Sequence, residues 1–231
     1  MTAGRILFIQ HQDDCPPGFI GERARQRGFE VDIVAATDEL PDPRDYEFIV
    51  PLGSDDAAYD DSLPYVQPEA ALLRRAVDHE VPVFGICFGA QLLSRVLGGD
   101  VRASAPGPEI GWLLLDTTDA GLVEPGPWLV WHLDVMTCPP GGKPVARTDG
   151  GVQAFTHGPH LGVQFHPEAT QPSVEVWSHR YHSSLTGLGI EPDDLVEQTR
   201  RSQPAARERA HRLFDRVYAR LPRRAEQGSS G

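Results

Sequence analysis

The sequence predicts a single α/β domain, with a mostly parallel central sheet flanked by helices and with antiparallel additions. Three observations predict it. Apolar runs of strand length alternate with helical patterns through the first hundred residues, the arrangement of a parallel sheet covered on both faces. After Gly99 the texture changes to short β-rich runs separated by Gly/Pro turns, with no room for helices between them. The length, 231 residues, lies in the range of one such domain.

The elements follow in order. "MTAGRILFIQHQDD" places one arginine before a short apolar run that turns acidic at once, so it reads as a first strand and not as a signal peptide. "HQDDCPPG" is a loop, followed by an amphipathic stretch to "RQRG" and a second strand, "FEVDIVAA". "YEFIVPLG" reads as a third strand. "YVQPEAALLRRAVDHE" carries Ala70, Leu73 and Val77 at helical spacing, with Leu72 and Ala76 beside them. "VPVFGI" is a fourth buried strand running into "FGAQLLSRVLGG", a helix closed by glycines. "GWLLLDT", "WLVWHLDV", "VQAFTHG" and "LGVQFHP" read as antiparallel additions and a return to the sheet. Near the end, Pro204 is expected to separate a "PDDLVEQTRR" helix from a docking helix with Ala210, Leu213, Phe214, Val217, Tyr218 and Leu221 on one face. The domain is expected to span residues 1–222, with 223–231 a frayed tail.

Composition narrows the function. Apolar content of 40% and charged content of 23% are those of an ordinary globular protein. No run of apolar residues is long enough to span a membrane. Cys15, Cys87 and Cys138 are far apart and odd in number, which points to no disulfide framework and to a reducing cytoplasm. A formal charge of −12 argues against nucleic acid as a partner. Lys143 is the only lysine, so a catalytic lysine has almost no candidates. No phosphate-binding or dinucleotide-binding glycine motif is present, and no cofactor is expected.

The candidate chemistry centres on "VFGICFGAQLL". A strand turning sharply into a helix holds the turn residue in a strained conformation and needs small neighbours on both sides. Gly85-Ile86-Cys87-Phe88-Gly89 has the form of such a nucleophile elbow. The N-terminus of the helix that follows favours a thiolate, and the Phe88 amide points where an oxyanion would form. A free cysteine is most often a small buried hydrophobe; the strand–glycine–cysteine–glycine–helix context favours the nucleophile. In "LGVQFHPE" an apolar run delivers His166 at its end, and Glu168 follows across Pro167. Alone this tripeptide is weak, but paired with the elbow it supplies a base and an orienting carboxylate at the carboxyl ends of strands.

With these two motifs the chain resembles the class I glutamine amidotransferase family: "GICFGAQLL", then "GVQFHPE" 79 residues later (87 to 166), with "ILFIQH", "EIGW" and "WHLD" also matching. The closest likeness is to stand-alone, GMP-synthase-like members. The resemblance implies a flavodoxin-like fold and a Cys-His-Glu triad that hydrolyses the side-chain amide of L-glutamine. It implies Cys87 as nucleophile, His166 as general base and acid, Glu168 as orienting carboxylate, and Gln91 close to the bound glutamine. The Gly53 and Phe88 amides would form the oxyanion hole. Leu52 and Ser54 stand where the family has a glycine and a proline, so the oxyanion loop is expected to differ, because leucine resists positive φ. Leu133 replaces a common glycine in "WHLD".

Other polar groups carry less. His157 and His160 fit no zinc spacing and read as exposed loop residues. His179 and His182 read as a solvated helix face. His132 is either a pocket residue near the substrate or a satisfied core histidine. Asp55, Asp56, Asp60 and Asp61 form an acidic loop, solvated more readily than cation-binding, and no metal site is expected. Three functions remain open. The first is a glutaminase supplying ammonia to a separate amide- or amine-forming synthase. The second is a γ-glutamyl peptidase or related C–N hydrolase, and the third is a non-catalytic binding protein on the same fold.

Overall fold

In the computed structural model, which describes residues 4–221, the first strand, β1 (Arg5–Gln10), is buried on both faces. Its alternation sorts the molecule into layers: Ile6 and Phe8 enter one core, Leu7 and Ile9 the other. That is why the segment reads as a continuous apolar run and not as a half-polar one. The chain continues through α1 (Gly18–Gln26), β2 (Glu30–Ala35), β3 (Phe48–Pro51), α2 (Val66–Asp78), β4 (Phe84–Ile86) and α3 (Phe88–Val96). β1 pairs in parallel with β2 on one side and β3 on the other. A parallel bridge between Ile49 and Val83 carries the sheet across from β3 to β4.

Beyond α3 come β5 (Val101–Ala103), β6 (Glu109–Leu113), β7 (Asp116–Thr117), β8 (Trp128–His132), β9 (Asp134–Met136), β10 (Lys143–Thr148), β11 (Gly151–His157) and β12 (His160–Val163). β12 returns to lie parallel to β4, and the sheet then runs antiparallel through β11, β10 and β7. The sheet is therefore mixed, parallel on the side of β1 and antiparallel at the far edge. Two antiparallel pairs, β5 with β9 and β6 with β8, stand beside it.

The helices cover both faces. α2 and α3 pack over the core that holds Leu7 and Ile9, burying Leu72, Leu73, Leu92 and Leu93. α1 and the last helix, α6 (Pro192–Arg220), cover the other face. Before α6 come α4 (Gln171–Arg180) and α5 (His182–Gly187), which the sequence reading marks only by the helix face of His179 and His182, without bounds. α4 buries Val174 and Trp177 in a separate cluster with Leu129, Leu185 and Leu195.

The C-terminal segment corrects one expectation. α6 runs unbroken over Pro192–Arg220, with Pro204 inside it. A proline in a helix interior removes a hydrogen bond and crowds the preceding turn, but Pro204 is exposed, so that cost falls on the solvent side. Packing on either side of it holds the helix together. Leu195 sits in the cluster around Trp177, whereas Ala210, Leu213, Phe214 and Val217 enter the core beneath the sheet. Each buried leucine or phenylalanine contributes about 2 kcal/mol, and two such anchorages outweigh the proline penalty of about 3 kcal/mol. The tail expected at 223–231 lies outside the described residues. Among the described residues, no helix is long and apolar enough to cross a membrane.

Candidate active site

The site is built from the carboxyl ends of β4 and β12 and the loops beside them. Cys87 joins β4 to α3 with φ 50° and ψ −108°, a left-handed conformation that costs a non-glycine residue of order 1–3 kcal/mol. Its neighbours explain how the turn is accommodated. A Cβ on Gly85 would lie 2.6 Å from the Gly89 carbonyl oxygen, and one on Gly89 would lie 2.2 Å from that of Pro51. Neither position has room for a side chain. The Cys87 amide donates to the Val163 carbonyl at 2.8 Å, and the Gly89 amide to the Leu52 carbonyl at 3.1 Å. The elbow is thereby tied to both β12 and the loop after β3.

His166 and Glu168 follow β12. The His166 amide donates to the Leu129 carbonyl at 2.8 Å, while the Glu168 carbonyl accepts from the amide of Phe19 at the start of α1 at 3.1 Å. His166 Nδ1 lies 2.7 Å from Glu168 Oε1, and both side chains are almost fully buried. On its other edge, His166 Nε2 is 3.3 Å from the Trp131 carbonyl oxygen, and the Cys87 Sγ is 3.8 Å from that same oxygen. Thiol and imidazole therefore meet at one point. Both ring nitrogens face acceptors, an arrangement that suits an imidazolium donating from each. Burial opposes that charge, but the Glu168 carboxylate and the Cys87 sulfur outweigh it and hold the His166 pKa well above its ordinary value.

The loop after β3 lies over this pair. A Cβ on Gly53 would be 3.2 Å from His166 Cε1 and 3.7 Å from the Cys87 Cβ, so the Gly53 backbone borders the reaction space. Leu52 is not among the described non-glycine residues with positive φ, which are Glu80 and Cys87. Its side chain is fully buried in the core and its carbonyl is taken by Gly89. Leucine therefore fits here without backbone strain. Ser54 Oγ receives the Asp56 amide at 3.1 Å and closes the loop locally.

A cavity of about 180 Å³ opens from Cys87 and His166. Trp131, Trp177 and Tyr181 wall it, and Asp14, Asp55 and Asp134 reach it from three different segments. Cys15 also lines it, with its thiol pushed up by burial and by the carboxylates of Asp14 and Glu168. Gln91 is buried and donates to Gln164 Oε1 at 3.2 Å and to the Asp134 carbonyl at 3.3 Å. His132 lines the cavity and is also held from behind. Its Nε2 is 3.3 Å from Glu109 Oε2, which accepts from Gln153 at 2.9 Å and Thr148 at 2.8 Å. His132 is thus a pocket residue and not a fully satisfied core histidine, because its buried Nδ1 has no hydrogen-bond partner among the described residues. Leu133 projects at the mouth, 60% exposed.

Sequence reasoning missed Gln164, Trp177 and Tyr181. Gln164 Nε2 donates to the Cys87 sulfur at 3.6 Å. A period-two reading of "VQFH" places it on the same face as His166, so that signal was present. Trp177 packs edge-on to the His166 ring at 5.1 Å, and nothing in the short α4 pattern announces it. His160 needs correction, because it is buried on β12, where its Nδ1 accepts from the Val83 amide at 3.2 Å. Burial lowers its pKa to about 4. His179 and His182 are exposed. The four loop aspartates diverge: Asp55 binds Gln12 and Tyr181, Asp56 Tyr65, Asp60 Ser62 and Asp61 Arg95. Among the described residues, no group of three or more His, Cys, Asp or Glu side chains could hold a metal ion.

Residues 19–175 match the family model of the class-I glutamine amidotransferases. A glutamine-hydrolysing GMP synthase from Mycobacterium leprae is 34% identical over 198 residues, covering 78% of this chain and 36% of the relative. The chain spans only about a quarter to a third of the length of the first curated relatives it matches. A solved glutamine amidotransferase from Thermotoga maritima superposes with a TM-score of 0.84 at 27% identity, covering 93% of this chain and 97% of that one. One from Methylobacillus flagellatus gives 0.87 at 25% identity, covering 97% and 98%.

Proposed function

The chain belongs to the class-I glutamine amidotransferase family, and from that premise we propose that it hydrolyses the side-chain amide of L-glutamine through a thioester on Cys87 and supplies the ammonia to a separate amide- or amine-forming enzyme. The observation that carries this reading is the approach of the Cys87 sulfur and His166 Nε2 to one carbonyl oxygen, with Glu168 2.7 Å behind the ring. The sulfur attacks the γ-carbonyl carbon, and the carbonyl π electrons move onto oxygen. The Phe88 and Gly53 amides hold that oxyanion, and a donor of this kind is worth about 3 kcal/mol of barrier. As the tetrahedral adduct collapses the C–N bond breaks, and His166 gives the leaving nitrogen its proton. Water, deprotonated by His166, then attacks the thioester, and glutamate leaves with the thiol restored. Gln91 and His132 are the side chains proposed to flank the bound glutamine. Glu168 keeps the imidazole oriented and stabilises its charged form.

The reading of this chain as the glutamine-hydrolysing partner in a two-enzyme system is supported by the relatives. The first GMP synthases that match it are more than twice its length, and the matched region is about a third of one of them. A second reading, hydrolysis of γ-glutamyl conjugates, rests on the cavity's continuation past the triad to Ser184, Leu185 and Leu188, which leaves room for a larger leaving group. Glutamate release from L-glutamine and from a γ-glutamyl dipeptide separates the two. Glutamine is expected to be turned over faster. A kcat/KM favouring the dipeptide would replace the ammonia-supplying role with a peptidase.

The charged state of His166 sets a pH signature. A group whose folded pKa is raised stabilises the fold fully below its unfolded value, about 6.5 for histidine, and loses that contribution as pH rises through the folded value. Glu168→Gln is therefore expected to lower the thermal midpoint more at about pH 6 than at about pH 9. The alkaline limb of the kcat/KM profile should also move to lower pH. Equal midpoint losses at both pH values would remove Glu168 as the source of the shift.

A further inference from the structure

A side-chain pair outside the triad packs against the elbow. His11 follows β1 and Glu69 lies on α2, and both side chains are fully buried. His11 Nε2–H donates to Glu69 Oε2 at 2.7 Å. His11 Nδ1 and Glu69 Oε1 have no hydrogen-bond partner among the described residues, so this one bond sets the orientation of both groups. The His11 ring lies 4.5 Å from that of Phe88 and 5.4 Å from that of Tyr65. Tyr65 packs on Phe88 at 5.9 Å, and its hydroxyl bonds Asp56 and lies 3.4 Å from Ser54 Oγ. The cluster therefore touches Phe88 directly and, through Ser54, the residue next to Gly53.

Stability does not explain the pair. Burying a carboxylate beside an imidazole costs desolvation, and well-packed apolar residues of similar volume commonly stabilise a fold as well or better. What the polar pair adds is direction. An aliphatic neighbour lets an aromatic ring slide, whereas a ring held by a short hydrogen bond cannot turn without breaking it. The ring so held bears on Phe88, the first residue of α3, whose side chain is fully buried and whose amide is the proposed oxyanion donor. Such a donor acts only if it is already aimed at the position the charge will occupy.

We propose that His11 and Glu69 are a positioning pair for the oxyanion hole. Glu69 fixes the His11 ring, and His11 with Tyr65 fixes Phe88 so that its amide faces the developing charge. The inference rests on the reading of Cys87 as nucleophile. Neither residue touches the substrate; both act through Phe88.

The test compares wild type, Glu69→Leu, Glu69→Gln and the double variant His11→Phe/Glu69→Leu. Glutamine kinetics are measured beside the affinity for glutamate γ-semialdehyde. That aldehyde adds to the thiol as a thiohemiacetal: an S–C bond forms, the carbonyl π bond opens, and no group leaves. Its oxygen occupies the oxyanion hole. Glu69→Leu is expected to lower kcat about tenfold or more, with KM within about twofold, and to weaken aldehyde binding by the same factor. Glu69→Gln keeps a carbonyl that accepts from His11 and should recover most of the loss. The double variant leaves no unpaired polar atom in the pair, so it carries the test should Glu69→Leu fail to fold, and it should show the same defect. Wild-type kcat and aldehyde affinity in the double variant would overturn the proposal, as would equal losses in Glu69→Gln and Glu69→Leu. A wild type that neither turns over glutamine nor binds the aldehyde would instead overturn the reading of Cys87, and this inference with it.

Discussion

Cys87→Ala is expected to lower glutamate release from glutamine by at least about ten-thousand-fold, the scale seen when a nucleophile is removed from a set of groups that act as a unit. The fold should not change. Alanine keeps the Cβ at the turn, and the losses are the sulfur's contacts with Gln164 at 3.6 Å and the Trp131 carbonyl at 3.8 Å. No other side chain can take over. Cys15 lines the same cavity, but burial and two carboxylates push its thiol up, and its sulfur is held by Gln12 and Asp14. Glutamate production by the purified variant, with its melting curve as a control, measures this. Activity within tenfold of wild type would end the assignment of Cys87 and move the protein towards a binding role on the same fold.

Gly89→Ala is expected to destabilise the protein by about 3 kcal/mol or more, the upper part of the range for overpacking a rigid site. The added methyl would lie 2.2 Å from the Pro51 carbonyl oxygen and 2.6 Å from its carbon. Those atoms are backbone in β3 and cannot swing aside. Relief requires α3 to move off β3, which also breaks the Gly89 amide bond to Leu52 and separates the elbow from the loop after β3. Surviving protein should therefore be nearly inactive as well as less stable. Gly187→Ala serves as the control, because a Cβ there meets nothing within 4 Å, and its stability should stay within about 0.5 kcal/mol of wild type. Urea midpoints for both variants decide the matter. A Gly89→Ala protein as stable as Gly187→Ala would mean that the contact between elbow and β3 is not tight.

The parallel half of the sheet was legible because β1, β3 and β4 are short apolar runs bounded by loops, and α2 and α3 carry apolar residues at helical spacing. α6 was misjudged at Pro204, because a local rule about proline yields when the helix is anchored at both ends. α4 was marked only by the exposed face of His179, and its buried side was missed for a related reason. Its two buried anchors, Val174 and Trp177, give too little periodicity to register, and a helix that leans on a satellite cluster needs little more. His160 was judged from its Gly/Pro surroundings, yet it sits on a strand buried between β4 and β11.

The sequence by itself determined the family and named the candidate residues of the site. Two glycines around Cys87 and the His166-Pro167-Glu168 run are local requirements, set by a turn too tight for side chains and by a short, stiff offset between imidazole and carboxylate. Family membership follows from those motifs. Only the tertiary structure decided how the pieces meet. The Trp131 carbonyl that both the sulfur and the imidazole approach, Gln164 beside the sulfur, and the aromatic wall from α4 come from segments 44 or more residues from Cys87. The burial that holds Glu69 against His11 beneath Phe88 is likewise a product of packing. Contacts between distant segments depend on the sum of all the packing choices in the core, and no local pattern encodes that sum.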